Sequence, residues 1–253
     1  MLDGLAIDAC SESDVVDAVM AAAEEGRGGW IVTVNVDVLR LLRDAELRRL
    51  IAPATFVVAD GMPLVWLARL LRTPLPERVA GSSLIWSLSQ AAAGKLTVYV
   101  LGGPPGIAES AAEALRRENP SLCVVGAHGP PMGFERDQAG VASAVGTVVA
   151  AAPDIVFCGL GFPKQEELIA RLRLELPQTW FLGCGAALSF VGGALPRAPR
   201  WMQRAGAEWL HRLLVEPRRL FRRYVVQDLP FVCALFVQAL GSRAVRTIER
   251  GKR

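Results

Sequence analysis

Asp60 is the carboxylate best placed to do chemistry. It directly follows the hydrophobic run Thr55-Phe-Val-Val-Ala59 and precedes Gly61, so it belongs at the end of a strand with its charge toward a cleft. There it could act as a general base toward a sugar hydroxyl, or it could cap a helix that starts near Pro63. Thr33 and Asn35 lie on one side of another strand by the period of two. They suit hydrogen bonds to a sugar, or simple capping of the helix after Val36. Lys164 and Gln165 open a helix after Gly161-Phe-Pro163, where ligand contact and capping again compete. Glycines cluster behind further strands as Gly102-Gly103, Gly159-Leu-Gly161 and Gly183-Cys-Gly185. Backbone N–H groups left free by glycine beside helix N-termini suit a diphosphate, which makes Gly102, Gly103, Gly159, Gly161, Gly183 and Gly185 candidate nucleotide-binding residues.

Other chemistries find less support. Prolines break the Gly102–Gly106 segment as a G-x-G-x-x-G fingerprint, and the next strand ends in Val-Gly-Ala-His128 rather than in an acid that would hold a ribose, so NAD is discounted. There is no G-x-x-x-x-G-K-[ST] motif. His128 and His211 stand apart from any His/Cys/Glu cluster, and no metal site is expected. Ser82 and Ser83 lack the G-x-S-x-G setting of a hydrolase nucleophile. No cofactor is expected.

The elements that must position these residues alternate along the chain. Ser11-Glu-Ser-Asp14 reads as a capping box before a helix ending near Gly26. Strands are expected at Trp30–Val34, Thr55–Ala59, Thr97–Leu101, Leu122–Gly126, Ile155–Cys158 and Trp180–Cys184. Helices are expected over Val38–Leu50, Pro63–Leu71, Ser82–Ala93, up to Arg117, Gln138–Ala151 and Lys164–Leu174. Strands alternating with helices predict an α/β fold, a mostly parallel, Rossmann-like sheet covered on both faces. In such sheets ligands gather beyond the carboxyl ends of the strands.

Composition bounds the class. The chain has 253 residues, 52% of them apolar and 21% charged, which excludes disordered and collagen-like chains. Five cysteines without a Cys-x-x-Cys pair argue against a disulfide scaffold or a zinc knuckle, and read as reduced core thiols, most of them in apolar runs. A net charge of +3 hides an asymmetry: residues 197–253 carry 13 basic and 4 acidic side chains, while residues 1–196 carry 15 and 21. A body of 1–196 with a basic, Trp- and Leu-rich helical appendage of 197–253 is expected to meet an anionic membrane surface rather than nucleic acid. The acidic N-terminus does not read as a signal peptide. Leu229–Leu240 is shorter than the ~20 residues of a spanning helix, and reads as an interfacial or packing helix. A cytoplasmic protein, peripheral on the inner face of the plasma membrane, is the expectation.

Taken together, several segments resemble the WecG/TagA/CpsF glycosyltransferases. These are Thr33-Val-Asn35, Ala59-Asp60-Gly61, Glu77-Arg78-Val79-Ala80-Gly81, Val100-Leu-Gly-Gly103, Pro153-Asp154, Gly159-Leu-Gly-Phe-Pro-Lys-Gln-Glu166 and Gly183-Cys-Gly-Ala186. The tail matches too, in Arg197-Ala-Pro-Arg200, Gly206-Ala-Glu-Trp-Leu-His-Arg-Leu213 and Glu216-Pro-Arg-Arg-Leu-Phe-Arg-Arg-Tyr224. The resemblance implies inverting, metal-independent transfer of a hexose-type sugar from a UDP-sugar to a polyprenyl-diphosphate-linked sugar, in teichoic-acid or other surface-polysaccharide synthesis. It also implies that Asp60 deprotonates the acceptor, that Thr33 and Asn35 position the sugars, and that Arg78 and Gln165 hold substrate or the departing UDP. Arg212, Arg219 and Arg222 are implied to close over the lipid diphosphate. Their spacing of seven and three puts them on one face of a continuous helix, although Pro217 falls between them.

Two features depart from the family pattern. Gly61 is followed by Met62-Pro63-Leu64 where a second glycine is usual, and the chain continues beyond Tyr224. A soluble nucleotide-sugar-modifying enzyme and a non-catalytic scaffold of a polysaccharide assembly complex are the alternatives. The tail is compatible with folding onto its own body or onto a neighbour in a homo-oligomer.

Overall fold

A computed structural model of the chain describes residues 1–199, 201–202 and 206–250. Arg200, from the first motif of the tail, lies outside the described residues. Six strands, β1 (Gly29–Val34), β2 (Phe56–Ala59), β3 (Thr97–Gly102), β4 (Cys123–His128), β5 (Ile155–Gly159) and β6 (Trp180–Gly183), form one sheet in the order β2-β1-β6-β5-β3-β4. All the pairings are parallel, as the alternation of elements requires.

The strands read as apolar runs because both faces of the sheet are covered. Ile31, Val58, Val98, Phe157 and Leu182 point to one face, under α1 (Glu12–Glu24), α5 (Gly81–Ala92), α6 (Ile107–Glu118) and α9 (Ala187–Val191). Val32, Val34, Leu101, Cys158 and Phe181 point to the other. There they meet α2 (Val36–Leu41), α3 (Ala45–Ile51), α4 (Met62–Leu70), α7 (Gln138–Ala151) and α8 (Lys164–Glu175). The capping box of Ser11 and Asp14 opens α1 as read from the sequence. The stretch Val38–Leu50 is two helices rather than one. Asp44 starts the second by accepting from Glu46 N at 2.7 Å, and the apolar spacing survives because both pieces turn the same side to the sheet. Of the five cysteines only Cys158 and Cys184 are buried, while Cys123 and Cys233 are exposed.

The appendage consists of α10 (Glu208–Val215), α11 (Pro217–Phe221), a π-helical stretch (Arg222–Asp228) and α12 (Leu229–Arg250). It packs on the body of the same chain. Phe231, Leu235 and Ala239, spaced by four, form one buried face of α12 in the same cluster as Leu64 and Val65 of α4. Each large apolar side chain buried this way contributes roughly 1.5–3 kcal/mol. The opposite face leaves Val237 and Leu240 exposed, so the helix is a packing helix on one side with an apolar surface on the other. Asp228 is buried and anchored by Arg40 Nε at 3.1 Å, while Arg40 Nη2 also reaches Asp37 Oδ1 at 2.5 Å.

One expectation needs correction. The helical run Pro217–Gly241 spans 25 residues and is, by length and composition, long and apolar enough to cross a membrane. Breaking the apolar stretch at Leu229 underestimated it, because helix continues unbroken from the π-helical stretch into α12.

Candidate active site

Strands β1 and β6 are neighbours, yet α2 after β1 packs on one face and α9 after β6 on the other. Chain leaving adjacent strands in opposite directions opens a crevice at their carboxyl ends. A cavity of about 970 Å³ lies there. The strand ends form one wall, and the appendage, through α10, the π-helical stretch and α12, forms the other.

Asp60 lines this cavity at the end of β2. It does not cap α4, whose N-cap is Gly61 without a side-chain bond. Its Oδ2 instead accepts from Gly81 N, at the start of α5, at 3.4 Å. Burial pushes its carboxyl up to about 6, with Glu208 adding to the rise; Arg78 and Arg212 oppose it, as does the Gly81 bond. A carboxylate so placed is ionised at neutral pH and still basic enough to accept a proton.

Arg78 also lines the cavity, and its Nη1 bonds Glu208 Oε2 of α10 at 2.8 Å, both side chains being largely buried. This pair ties the body to the appendage next to Asp60. Arg212 of α10 stacks over Phe190 with its guanidinium carbon 5.3 Å from the ring centroid. Its Nε is buried without a hydrogen-bond partner.

Thr33 and Asn35 reach the cavity too. Thr33 Oγ1 donates to Gly183 O at 2.8 Å, and Asn35 Oδ1 accepts from Val38 N at 3.0 Å as the N-cap of α2. The capping role is therefore filled, while the Asn35 amide N–H groups have no part in it. Gln165 does not cap α8. It bonds backbone N–H groups of two glycine loops, and Lys164 pairs with Glu135.

The six glycines divide into two kinds. Gly103, Gly159, Gly161 and Gly185 line the cavity; Gly102 and Gly183 do not. Gly102 has φ +111, and a Cβ there would stand 2.8 Å from the backbone of Gly159, so it serves the close approach of β3 and β5. Gly161 and Gly185 have positive φ and open space beside them.

The arginines of the tail are not all gathered. Glu216, at φ −127 and ψ 57, separates α10 from α11, so Arg212 does not share one continuous helix with the later arginines. Arg212, Arg219 and Arg223 line the cavity, the last two being one α-helical turn apart, whereas Arg222 is exposed outside its lining. Arg219 is held by both carboxylate oxygens of Glu216, at 2.7 and 2.6 Å. Arg223 Nε lies 3.4 Å from Asp37 Oδ2. Sequence reasoning had not singled out Glu208, Arg223 or Phe190. The Glu-Trp-Leu motif quoted for the tail contained Glu208, but a partner 130 residues away leaves no local signal.

The comparisons with known proteins agree with this architecture. A family model described as "Glycosyl transferase WecG/TagA/CpsF family" matches residues 1–245. A relative from Bacillus spizizenii (strain W23) is named N-acetylglucosaminyldiphosphoundecaprenol N-acetyl-beta-D-mannosaminyltransferase. It is 30% identical over 198 residues, covering 78% of this chain and 75% of its own. A protein of the same name from Bacillus subtilis (strain 168) is 28% identical over 194 residues, covering 76% and 73%.

Proposed function

Because the chain belongs to the WecG/TagA/CpsF glycosyltransferase family, we propose that it transfers a hexose-type sugar, of the N-acetylmannosamine kind, from a UDP-sugar to a polyprenyl-diphosphate-linked sugar. The named relatives act on such a lipid-linked N-acetylglucosamine, which makes surface-polymer assembly the setting. The observation that carries the reading is the convergence of Asp60, Arg78 and Arg212 beside glycine loops in one cavity closed by the basic appendage.

The transfer is a single displacement. The acceptor hydroxyl oxygen bonds to the anomeric carbon from the side opposite the phosphate, while Asp60 takes the hydroxyl proton. The bond from the anomeric carbon to the phosphate oxygen breaks, and UDP leaves with the electron pair, so the configuration inverts. Charge builds on the departing diphosphate, and guanidinium forks with glycine N–H groups are suited to receive it. In this reading Arg78 and the loops at Gly159–Gly161 and Gly185 receive the UDP phosphates. Thr33 and Asn35 contact the sugars, and Arg212, Arg219 and Arg223 face the lipid diphosphate. Arginine charge takes the place that a divalent cation holds in other transferases.

The test is titration of the full-length chain with UDP, ADP and NAD, each with and without EDTA, followed by a donor screen on a polyprenyl-diphosphate N-acetylglucosamine acceptor. UDP is expected to bind in preference to ADP and NAD, indifferently to EDTA, and transfer is expected to survive the chelator. Preferential NAD binding, or binding of none of the three, would sink the reading.

We also read the protein as a peripheral one on the cytoplasmic membrane face, with its body docked by the appendage. The exposed Trp209, Leu214 and Phe221, the apolar face of α12, and Arg218 and Arg222 beside them support this. Sedimentation with anionic liposomes is expected, with at least a tenfold loss on exchanging Trp209, Leu214 and Phe221 for Ser (roughly 1.4 kcal/mol or more, less than full burial of three large apolar groups contributes). Undiminished sedimentation of that variant would place the membrane contact elsewhere.

A further inference from the structure

Gln165 is largely engaged by the protein itself. Its Oε1 accepts from Gly161 N at 3.1 Å and from Gly185 N at 2.9 Å, so one carboxamide oxygen ties the loop after β5 to the loop after β6. With the oxygen fixed as the acceptor, the amino end must point the other way, and Nε2 donates to Glu166 Oε1 at 2.8 Å. Gly183 passes beneath the pair; a Cβ there would stand 2.8 Å from Gln165 Nε2 and 2.9 Å from Glu166 Oε1. Glu166 is only 1% exposed, and its Oε2 is buried without a hydrogen-bond partner. The groups facing it are Gln165 and Glu167 on its own helix, Cys158 from β5 and Cys184 after β6. None of these is a cation that would justify burying an acid.

We propose that Glu166 is a positioning residue for glycosyl transfer: it fixes the orientation of the Gln165 carboxamide, which holds the two glycine loops at the spacing that receives the donor's diphosphate. The proposal rests on the reading of the cavity as a nucleotide-sugar site. An acid serves here only while it is neutral, since a carboxylate with one buried, unpartnered oxygen must draw in water or swing out. Burial pushes the Glu166 carboxyl up to about 8, against the smaller opposing effect of the Gln165 bond, so it holds its proton at neutral pH. Above that range the ionised carboxylate, with Oε2 unpartnered, swings toward water, and once its Oε1 has left Nε2 the carboxamide is free to turn over. Gln165 Oε1 then no longer faces the N–H groups of Gly161 and Gly185, and the loops lose their brace.

The experiment follows donor KM and kcat from about pH 6.5 to 9.5 for the full chain and for Glu166→Gln and Glu166→Leu, with circular dichroism melts alongside. Glutamine can accept the same bond and does not ionise. The wild-type donor KM is expected to rise roughly five- to tenfold between about pH 7 and 9.5, with kcat changing less, while that of Glu166→Gln stays within about twofold. The Leu variant cannot accept the bond, and its donor KM is expected to be raised roughly five- to tenfold already at pH 7, the scale of one lost hydrogen bond. Glu166→Gln should also melt higher than wild type at neutral pH. The unfolded acid ionises near its ordinary value while the folded one resists up to about 8, so the gap opens across that window as pH rises. An alkaline rise in KM kept by Glu166→Gln, or a folded Leu variant with wild-type KM, would overturn the role of Glu166. A wild-type chain that binds no UDP and transfers nothing overturns the nucleotide-sugar reading and this role with it.

Discussion

Asp60→Asn is expected to lower turnover by about 10²- to 10⁴-fold, the range for losing a positioned general base, while UDP affinity stays within a few-fold. The base acts on the acceptor proton, which moves in the transition state, so its loss appears in kcat rather than in ground-state binding. The same burial gives the pH dependence. With its carboxyl pushed up to about 6, wild-type kcat/KM should fall about tenfold per pH unit below that value and be flat above it, and the variant should lack this limb. Stability should move the opposite way. An acid whose folded pKa is raised loses its proton first in the unfolded chain, so the folded state becomes relatively less stable as pH rises from the ordinary value of 3.8 to about 6. Asparagine does not titrate. The variant should therefore melt higher than wild type above about pH 6, by on the order of 1–3 kcal/mol, and the difference should close toward pH 4. Rate profiles and melts of both proteins check this. Unchanged turnover would remove Asp60 from the mechanism, and equal melting at pH 7 would remove the argument from burial.

The fold was legible wherever a strand is buried on both faces. Trp30–Val34, Thr97–Leu101 and Ile155–Cys158 read as apolar runs, and the first helix carries its own cap in the Ser11–Asp14 box. Sheet order was not legible, because it depends on crossovers that leave no mark in the strands. Nor was the break before Asp44, where turn and helix present the same apolar side. At the site, the residues at strand ends were visible by type, since Asp60 and Thr33 follow hydrophobic runs directly. What each glycine does was not visible. Gly102 and Gly103 are neighbours in sequence, yet one serves a strand contact and the other faces the cavity. In the appendage the resemblance points to Arg222 and the spacing of seven and three agrees, but the break at Glu216 interrupts that arithmetic, and Arg223, one α-helical turn after Arg219, lines the cavity where Arg222 does not. Residues whose partners come from distant segments, Arg78 with Glu208 above all, become legible only once the appendage is seen folded against the body.

Arg212→Ala is expected to cost about 10²- to 10³-fold in turnover, the scale for removing one preorganised donor to a developing charge. The guanidinium is held by packing rather than by an acid: it stacks on Phe190 and leaves Nε buried and unpartnered. Arg212 lines the cavity, so its guanidinium stands within reach of a diphosphate there, and its position is fixed before the ligand arrives. Arg219 differs, because Glu216 already occupies its fork, so its loss should matter less than that of Arg212. Arg212 also lowers the pKa of Asp60. Its removal should thus move the acid limb of the rate profile upward from about 6, a shift that mere loosening of the appendage would not produce. Arg212→Lys separates the two effects. The retained charge should return the limb toward its wild-type position, while the lost planar fork and stacking leave turnover low. A wild-type limb in Arg212→Ala would mean that the guanidinium does not act on the base. Wild-type turnover in Arg212→Lys would mean that charge alone, without the fork, is what the appendage brings to the reaction.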